Sequence, residues 1–237
     1  MKCDKGTYIG QITSGIDVPS TLALKTISFI NQNLPAWRDD PDRPKEQSED
    51  KLNLQLCKFL DSRARRDFPM VRFDHEEYQT GIRRVDLSAS PVEKAIFGAI
   101  TYTIYDPILV IEGKRLPAPS TNREKEYVIG DVNKKNGGIE RFKLGLHGFD
   151  LNIAVIVGYV QEKRLDHWYQ KINEWILELA DGTKKGSCVW NTDEVLKQLM
   201  QYRITRVSSC QSTHSRTGSK VSSEIKIHHL WIAMDTT

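Results

Sequence analysis

The sequence predicts an α/β domain, and three observations carry that reading. Amphipathic helical stretches alternate with short runs of strand length. Two of those runs, 108–111 and 153–159, are apolar throughout, as strands covered on both faces are. A chain of 237 residues can bury one core that needs neither disulfides nor a structural metal. The order helix, hairpin, strand, helix, strand, helix, strands fits a mixed central β-sheet flanked by helices. The formal charge of +3, from 34 basic and 31 acidic residues, sets up no strong global field, so any basic surface is local. Composition excludes a largely disordered chain, a collagen-like repeat and a disulfide scaffold.

The first element is a helix over residues 17–34, started by Pro19 and Ser20, with Leu22, Leu24, Ile27, Ile30 and Leu34 at helical spacing. The proline- and charge-rich segment 35–44 predicts that this helix stops at Pro35. Residues 1–47 are therefore expected to form an N-terminal helical appendage with a linker, and 48–237 the core. A second helix runs from an N-cap at Ser48 to about Arg66, with Leu52, Leu56, Phe59 and Leu60 on one face. Segments 70–79 and 81–88 read as a hairpin that turns at Thr80 and Gly81. Residues 90–105 stay open between helix and strand. After Pro107 comes the buried strand, then helices near 124–132 and 139–146, separated by the turn Asn136-Gly137-Gly138. A strand over 151–160 precedes a helix over 165–179, marked by Trp168, Ile172, Trp175, Ile176 and Leu179. A helix at 193–200 and strands at 203–209 and 224–234 close the chain, with a polar, basic loop at 212–220.

Residues 1–12 lack a basic segment followed by an apolar core, so no secretory signal is expected, and no apolar run approaches the ~18 residues of a membrane helix. Cys3, Cys57, Cys188 and Cys210 are scattered with no C-x-x-C pair, which predicts a reduced, cytoplasmic protein without a zinc knuckle.

The chemistry-bearing pattern begins where the buried strand ends. Glu112 and Lys114 follow four apolar residues, and strand alternation puts both on one side. Buried charges are costly unless paired, so a carboxylate and an ammonium on the rim of a core strand call for a reason. Asp86 lies near the end of the second hairpin strand and can bring a second carboxylate to the pair. Mg²⁺ takes oxygen ligands, usually one or two protein carboxylates completed by phosphate and water, and it acidifies bound water.

This arrangement resembles the PD-(D/E)xK superfamily of restriction-endonuclease-like nucleases over roughly residues 48–159. The resemblance implies a restriction-endonuclease-like core, with Asp86 and Glu112 as metal ligands and Lys114 as the catalytic lysine. Glu49 matches the extra glutamate that many members carry on the first core helix. Val85 stands where the family motif often has proline, and the long separation of Asp86 from Glu112 implies an excursion over residues 90–107. The same resemblance implies a Mg²⁺-dependent endonuclease (Mn²⁺ able to substitute) acting on nucleic acid, most readily DNA. Such modules occur in restriction and phage-defence systems, as homodimers or with partner proteins. The alternative is a catalytically silent nucleic-acid- or protein-binding module on the same fold.

Four further features have weaker signals. Arg141, after the glycine turn, is either a phosphate contact or a residue on a solvated helix face. Glu76 and Glu77 close the first strand and can face the site or solvent. His228 and His229 are adjacent in a strand, point to opposite faces, and are expected to be structural. The segment 212–220 can track a nucleic-acid backbone but reads more simply as a solvated loop.

Overall fold

The structure is a computed structural model that describes residues 21–78, 83–97, 100–131, 134–216 and 223–234. Residues 1–20, with the expected helix start at Pro19 and Ser20, the hairpin turn at Thr80 and Gly81, and residues 217–222 of the polar loop lie outside the described residues.

In chain order the elements are α1 (Thr21–Arg38), α2 (Glu49–Asp67), β1 (Val71–Tyr78), β2 (Arg84–Pro91), β3 (Ala95–Phe97), β4 (Ile100–Tyr102), β5 (Leu109–Leu116), α3 (Gly138–Lys143), β6 (Ile153–Val160), α4 (Leu165–Ala180), β7 (Met200–Tyr202), β8 (Val207–Ser215) and β9 (Glu224–Ala233). A seven-stranded mixed sheet in the order β1-β2-β5-β6-β9-β8-β7 forms the centre. Its middle three strands, β5, β6 and β9, are parallel, and antiparallel pairs complete both wings. The parallel strands are the apolar ones, because both faces of the sheet are covered there. On one face α1 and α2 pack Leu22, Ile30, Leu34, Leu52, Leu56 and Leu60 against Leu109, Ile111, Val155 and Val157. On the other, Ile139 and Phe142 of α3 and Trp168, Ile172 and Trp175 of α4 meet Val110, Ala154 and Ile156.

The helix expected as an appendage belongs to this core. α1 carries Ile30 and Leu34 fully buried in the same cluster as α2 and the sheet, and it touches β8 and β9. It also runs through Pro35 to Arg38, not ending before the proline. Pro35 removes one helical hydrogen bond close to the C-terminus. Burial of Trp37 and a hydrogen bond from Arg38 Nη1 to the Thr205 carbonyl (2.9 Å) hold the last turn in place.

Two expected helices are extended or turn structure. At 124–131 the carbonyls of Glu126, Tyr127 and Val128 accept from the amides of Gly138, Ile139 and Glu140 (2.8, 3.1 and 3.0 Å), which takes the acceptors a helix would use. At 193–200 a single 3₁₀ turn, Thr192–Glu194, is followed by Leu196 donating to Asn173 of α4 and Lys197 donating to Gln211 of β8, both at 2.7 Å. The closing hairpin strand begins at Val207, later than expected, and runs on to Ser215, so the first part of the expected polar loop is strand with Ser212 and His214 buried. The excursion expected over residues 90–107 starts later, because β2 stays paired to β1 through Pro91; beyond it β3 and β4 make a small separate sheet. No helix of the described residues is long and apolar enough to cross a membrane.

Candidate active site

The site forms where β2 leaves β5. Their pairing ends at Leu87 opposite Ile111, whereas β5 stays paired to β6 as far as Leu116 opposite Val160. Past Ile111, the β5 amides that faced β2 have lost their strand, and carboxylates replace it. Asp86 Oδ2 accepts from the Gly113 amide at 2.7 Å, and Glu49 Oε2 accepts from the Arg115 amide at 3.1 Å.

Local backbone geometry aims Asp86 into this gap. The β1–β2 register runs from Val71–Pro91 to Tyr78–Arg84 but omits the pair Glu76–Asp86, and Glu76 has φ +55°. Residues two apart in a strand normally share a face. Leu87 and Val85 nevertheless lie in the clusters on opposite sides of the sheet, so β2 turns over at Asp86. Its side chain then points along the plane of the sheet toward β5.

Glu49 arrives from the other direction, as the first residue of α2. Gly113 lets that helix approach: a Cβ there would stand 1.8 Å from Asn53 Oδ1. Asn53, one turn along α2 from Glu49, also accepts from the Tyr159 hydroxyl at 2.8 Å. The missing side chain in E-x-K therefore sets how closely Glu49 approaches the strand.

Lys114 Nζ lies 2.8 Å from Glu49 Oε1 and 3.0 Å from Glu112 Oε1. Glu112 is fully buried and paired with Arg141 through the same oxygen, while His147 Nδ1 lies 3.1 Å from Oε2 without the alignment of a hydrogen bond. Burial opposes the charge on Glu112, but Lys114, Arg141 and His147 outweigh it and hold the carboxyl far below the usual range. Burial likewise opposes the charge on Lys114, and Glu112, Glu49 and Asp86 outweigh it, so Lys114 is a persistent ammonium. Burial, reinforced by the charge of Glu112, pushes Asp86 up to about 8 despite Lys114 and the Gly113 amide. Two neighbouring carboxyls thus have opposite proton affinities, a pattern that clusters at functional sites.

The four expected residues, Glu49, Asp86, Glu112 and Lys114, come together. Arg141 joins them as the partner of Glu112, and not on a solvated helix face. Sequence reasoning misses His147; it reaches Glu112 through the turn after α3, where Gly145 has φ +65°, and a lone histidine in Leu-Gly-Leu-His carries no spacing signal. Glu76 pairs with the exposed Arg84 at 2.7 Å, outside the cluster. Val155 and Ile156 of β6 pair with His228 and His229, whose side chains point to opposite faces: His228 sits beside Gln211, and His229 bonds Tyr127 and Ser212. Trp168 and Trp175 are core. Among the described residues no group of three or more histidine, cysteine, aspartate or glutamate side chains is placed to hold a metal ion.

Comparison with family models, with curated proteins and with solved structures finds no match.

Proposed function

We propose that this chain is a Mg²⁺-dependent endonuclease with a restriction-endonuclease-like core of the PD-(D/E)xK kind, hydrolysing phosphodiester bonds. One observation supports the reading above the others: Asp86, Glu112, Lys114 and Glu49 meet where two strands splay apart, and one of the carboxyls is buried and charged. Mg²⁺ needs only one or two protein carboxylates. Asp86 and Glu112 supply that number, and Glu112 Oε2 is a buried oxygen with no hydrogen-bond partner, so the donor set fits Mg²⁺ or Mn²⁺.

When bound, such an ion supplies an acidified water and offsets charge on the phosphoryl oxygens. Lys114, held as an ammonium between Glu49 and Glu112, orients the attacking water and faces the negative charge that develops, since it has no lone pair with which to take a proton. Glu49 fixes Lys114 and caps the Arg115 amide. Arg141 brings a second cation to the same oxygen of Glu112, placed for a phosphate. DNA as substrate, action as a homodimer or with a partner protein, and a place in restriction or phage defence rest on the resemblance alone.

A second reading, a catalytically silent module, has its own support: Lys114, Arg141 and His147 already surround Glu112. Thermal unfolding with and without Mn²⁺, run beside a plasmid-nicking assay, separates the two. A nuclease gains stability with the ion and nicks the plasmid; the silent module does neither.

A further inference from the structure

A second buried polar cluster lies behind the site, on the α3 side of the sheet. Trp231 Nε1 donates to the Tyr127 hydroxyl (2.8 Å), and that hydroxyl lies 2.7 Å from His229 Nδ1. His229 Nε2 lies 2.8 Å from Ser212 Oγ, which lies 2.7 Å from His214 Nε2. His214 Nδ1 stands 3.5 Å from Glu194 Oε2, a charge contact longer than a hydrogen bond. Glu194 in turn holds Lys143 Nζ at 2.5 and 2.7 Å, and accepts from the Ser215 amide and hydroxyl at 2.9 Å.

Every proton in this chain can be placed. The Tyr127 hydroxyl already accepts from Trp231, so its own proton has one outlet, His229 Nδ1. A neutral His229 then carries its proton on Nε2 and donates to Ser212. Ser212 has one proton and gives it to His214 Nε2. That leaves the His214 proton on Nδ1, facing the carboxylate of Glu194. Burial holds both histidines below their usual range, in keeping with neutral rings. Glu194, His214 and Ser212 also fall in the order of a hydrolytic triad, but Ser212 is fully buried and its oxygen is shared between two imidazoles. It is not a nucleophile.

The cluster meets the active site through α3. That helix has six residues, too few to be stable alone in water; residues 126–128 hold its first three amides, and its last turn rests on side-chain contacts. Arg141 and Lys143 are two positions apart, about 200° around the helix axis, so they leave it on opposite sides. One pairs with Glu112 and the other with Glu194. Rotating α3 breaks both pairs. A buried ion pair is weak as a source of stability and better suited to fixing an arrangement.

We infer that Glu194 is a positioning residue of the active site: through Lys143 it sets the rotation of the last turn of α3, and hence the place of Arg141 on Glu112, while Ser215, with His214 facing it at the end of the directed chain, holds Glu194. The inference rests on the proposed site for its catalytic consequence, not for its geometry. Nitrogen NMR of the labelled full chain at neutral pH tests the geometry in the unmutated protein. His229 is expected protonated on Nε2 and His214 on Nδ1; the reverse tautomer at His214 overturns the proposal. In Glu194→Gln the Arg141 guanidinium signal, assigned by its loss in Arg141→Lys, is expected to shift or broaden, with cleavage down tenfold or more, and Glu194→Asp to recover part of both. If Glu194→Gln fails to fold, the charge-free pair Lys143→Met with Glu194→Leu takes its place, with the same shift or broadening of the Arg141 signal expected. An unchanged Arg141 signal in a folded variant overturns the positioning role. If the unmutated protein neither binds Mn²⁺ nor cleaves, the nuclease reading fails, and the NMR results still decide this one.

Discussion

Glu76 stands opposite Asp86 across the β1–β2 ladder, and Glu76 is where that ladder is interrupted. A left-handed backbone at a residue with a side chain costs on the order of 1–2 kcal/mol and persists where the surrounding structure imposes it. Here it accompanies the turnover of β2 that points Asp86 at β5.

Substitution at Glu76 reads that cost. Glycine adopts positive φ freely, so Glu76→Gly is expected to be neutral or to stabilise the fold by up to about 1 kcal/mol, its exposed pair with Arg84 contributing little. Glu76→Val, β-branched, is expected to destabilise by about 1–3 kcal/mol. Urea denaturation of the two variants checks the sign, and a tolerated valine beside a damaging glycine would contradict the account.

Gly113 gives a second prediction. A methyl group at this position meets Asn53 Oδ1 at 1.8 Å, so Gly113→Ala must push α2 away or displace Asn53. Overpacking of this kind costs about 1–3 kcal/mol, and displacing α2 also draws Glu49 from Lys114. Adding Asn53→Ala opens the space, and the pair is expected to be less harmful than the two single losses added together. Additive losses in a double-mutant cycle would show that the contact does not set the helix position.

The pattern Glu112-x-Lys114 was legible because strand alternation is a local rule, and Glu49 because it heads an amphipathic helix whose inward edge can be counted. Asp86 falls on the expected strand, though near the start of β2 and not near its end, and its direction depends on the turnover opposite Glu76, which no residue type announces. The partners of the site were less visible. His147 and Glu194 act through tertiary contacts across turns, and neither lies at a spacing that a helix or strand would repeat. The departures from local expectation share one cause. Pro35 lies inside a helix held by Trp37 and Arg38, and segments 124–131 and 193–200 spend their backbone groups on distant partners, so tertiary contacts overrode local propensity.

His228 supplies a pH prediction. Burial, with a smaller contribution from Lys226, pushes its imidazole down to about 4 from an ordinary 6.5. Between those values the unfolded chain binds the proton more readily than the folded one, so stability falls as pH drops from 6.5 toward 4 and levels off below. The loss from this residue alone is about 3 kcal/mol at most, and His214 and His229 act in the same direction. Urea midpoints at pH 7 and pH 5 are expected to differ less in His228→Gln than in the unmutated protein. An equal difference would place the acid sensitivity elsewhere.

The central claim is that Asp86 and Glu112 hold a divalent ion while Lys114 serves the water beside it. The most direct measurement is Mn²⁺-dependent plasmid cleavage by the unmutated protein and by Asp86→Asn, Glu112→Gln and Lys114→Met, each confirmed folded by circular dichroism. The account predicts cleavage by the unmutated protein and a loss of about a hundredfold or more in every variant. Cleavage that survives undiminished in all three would contradict it.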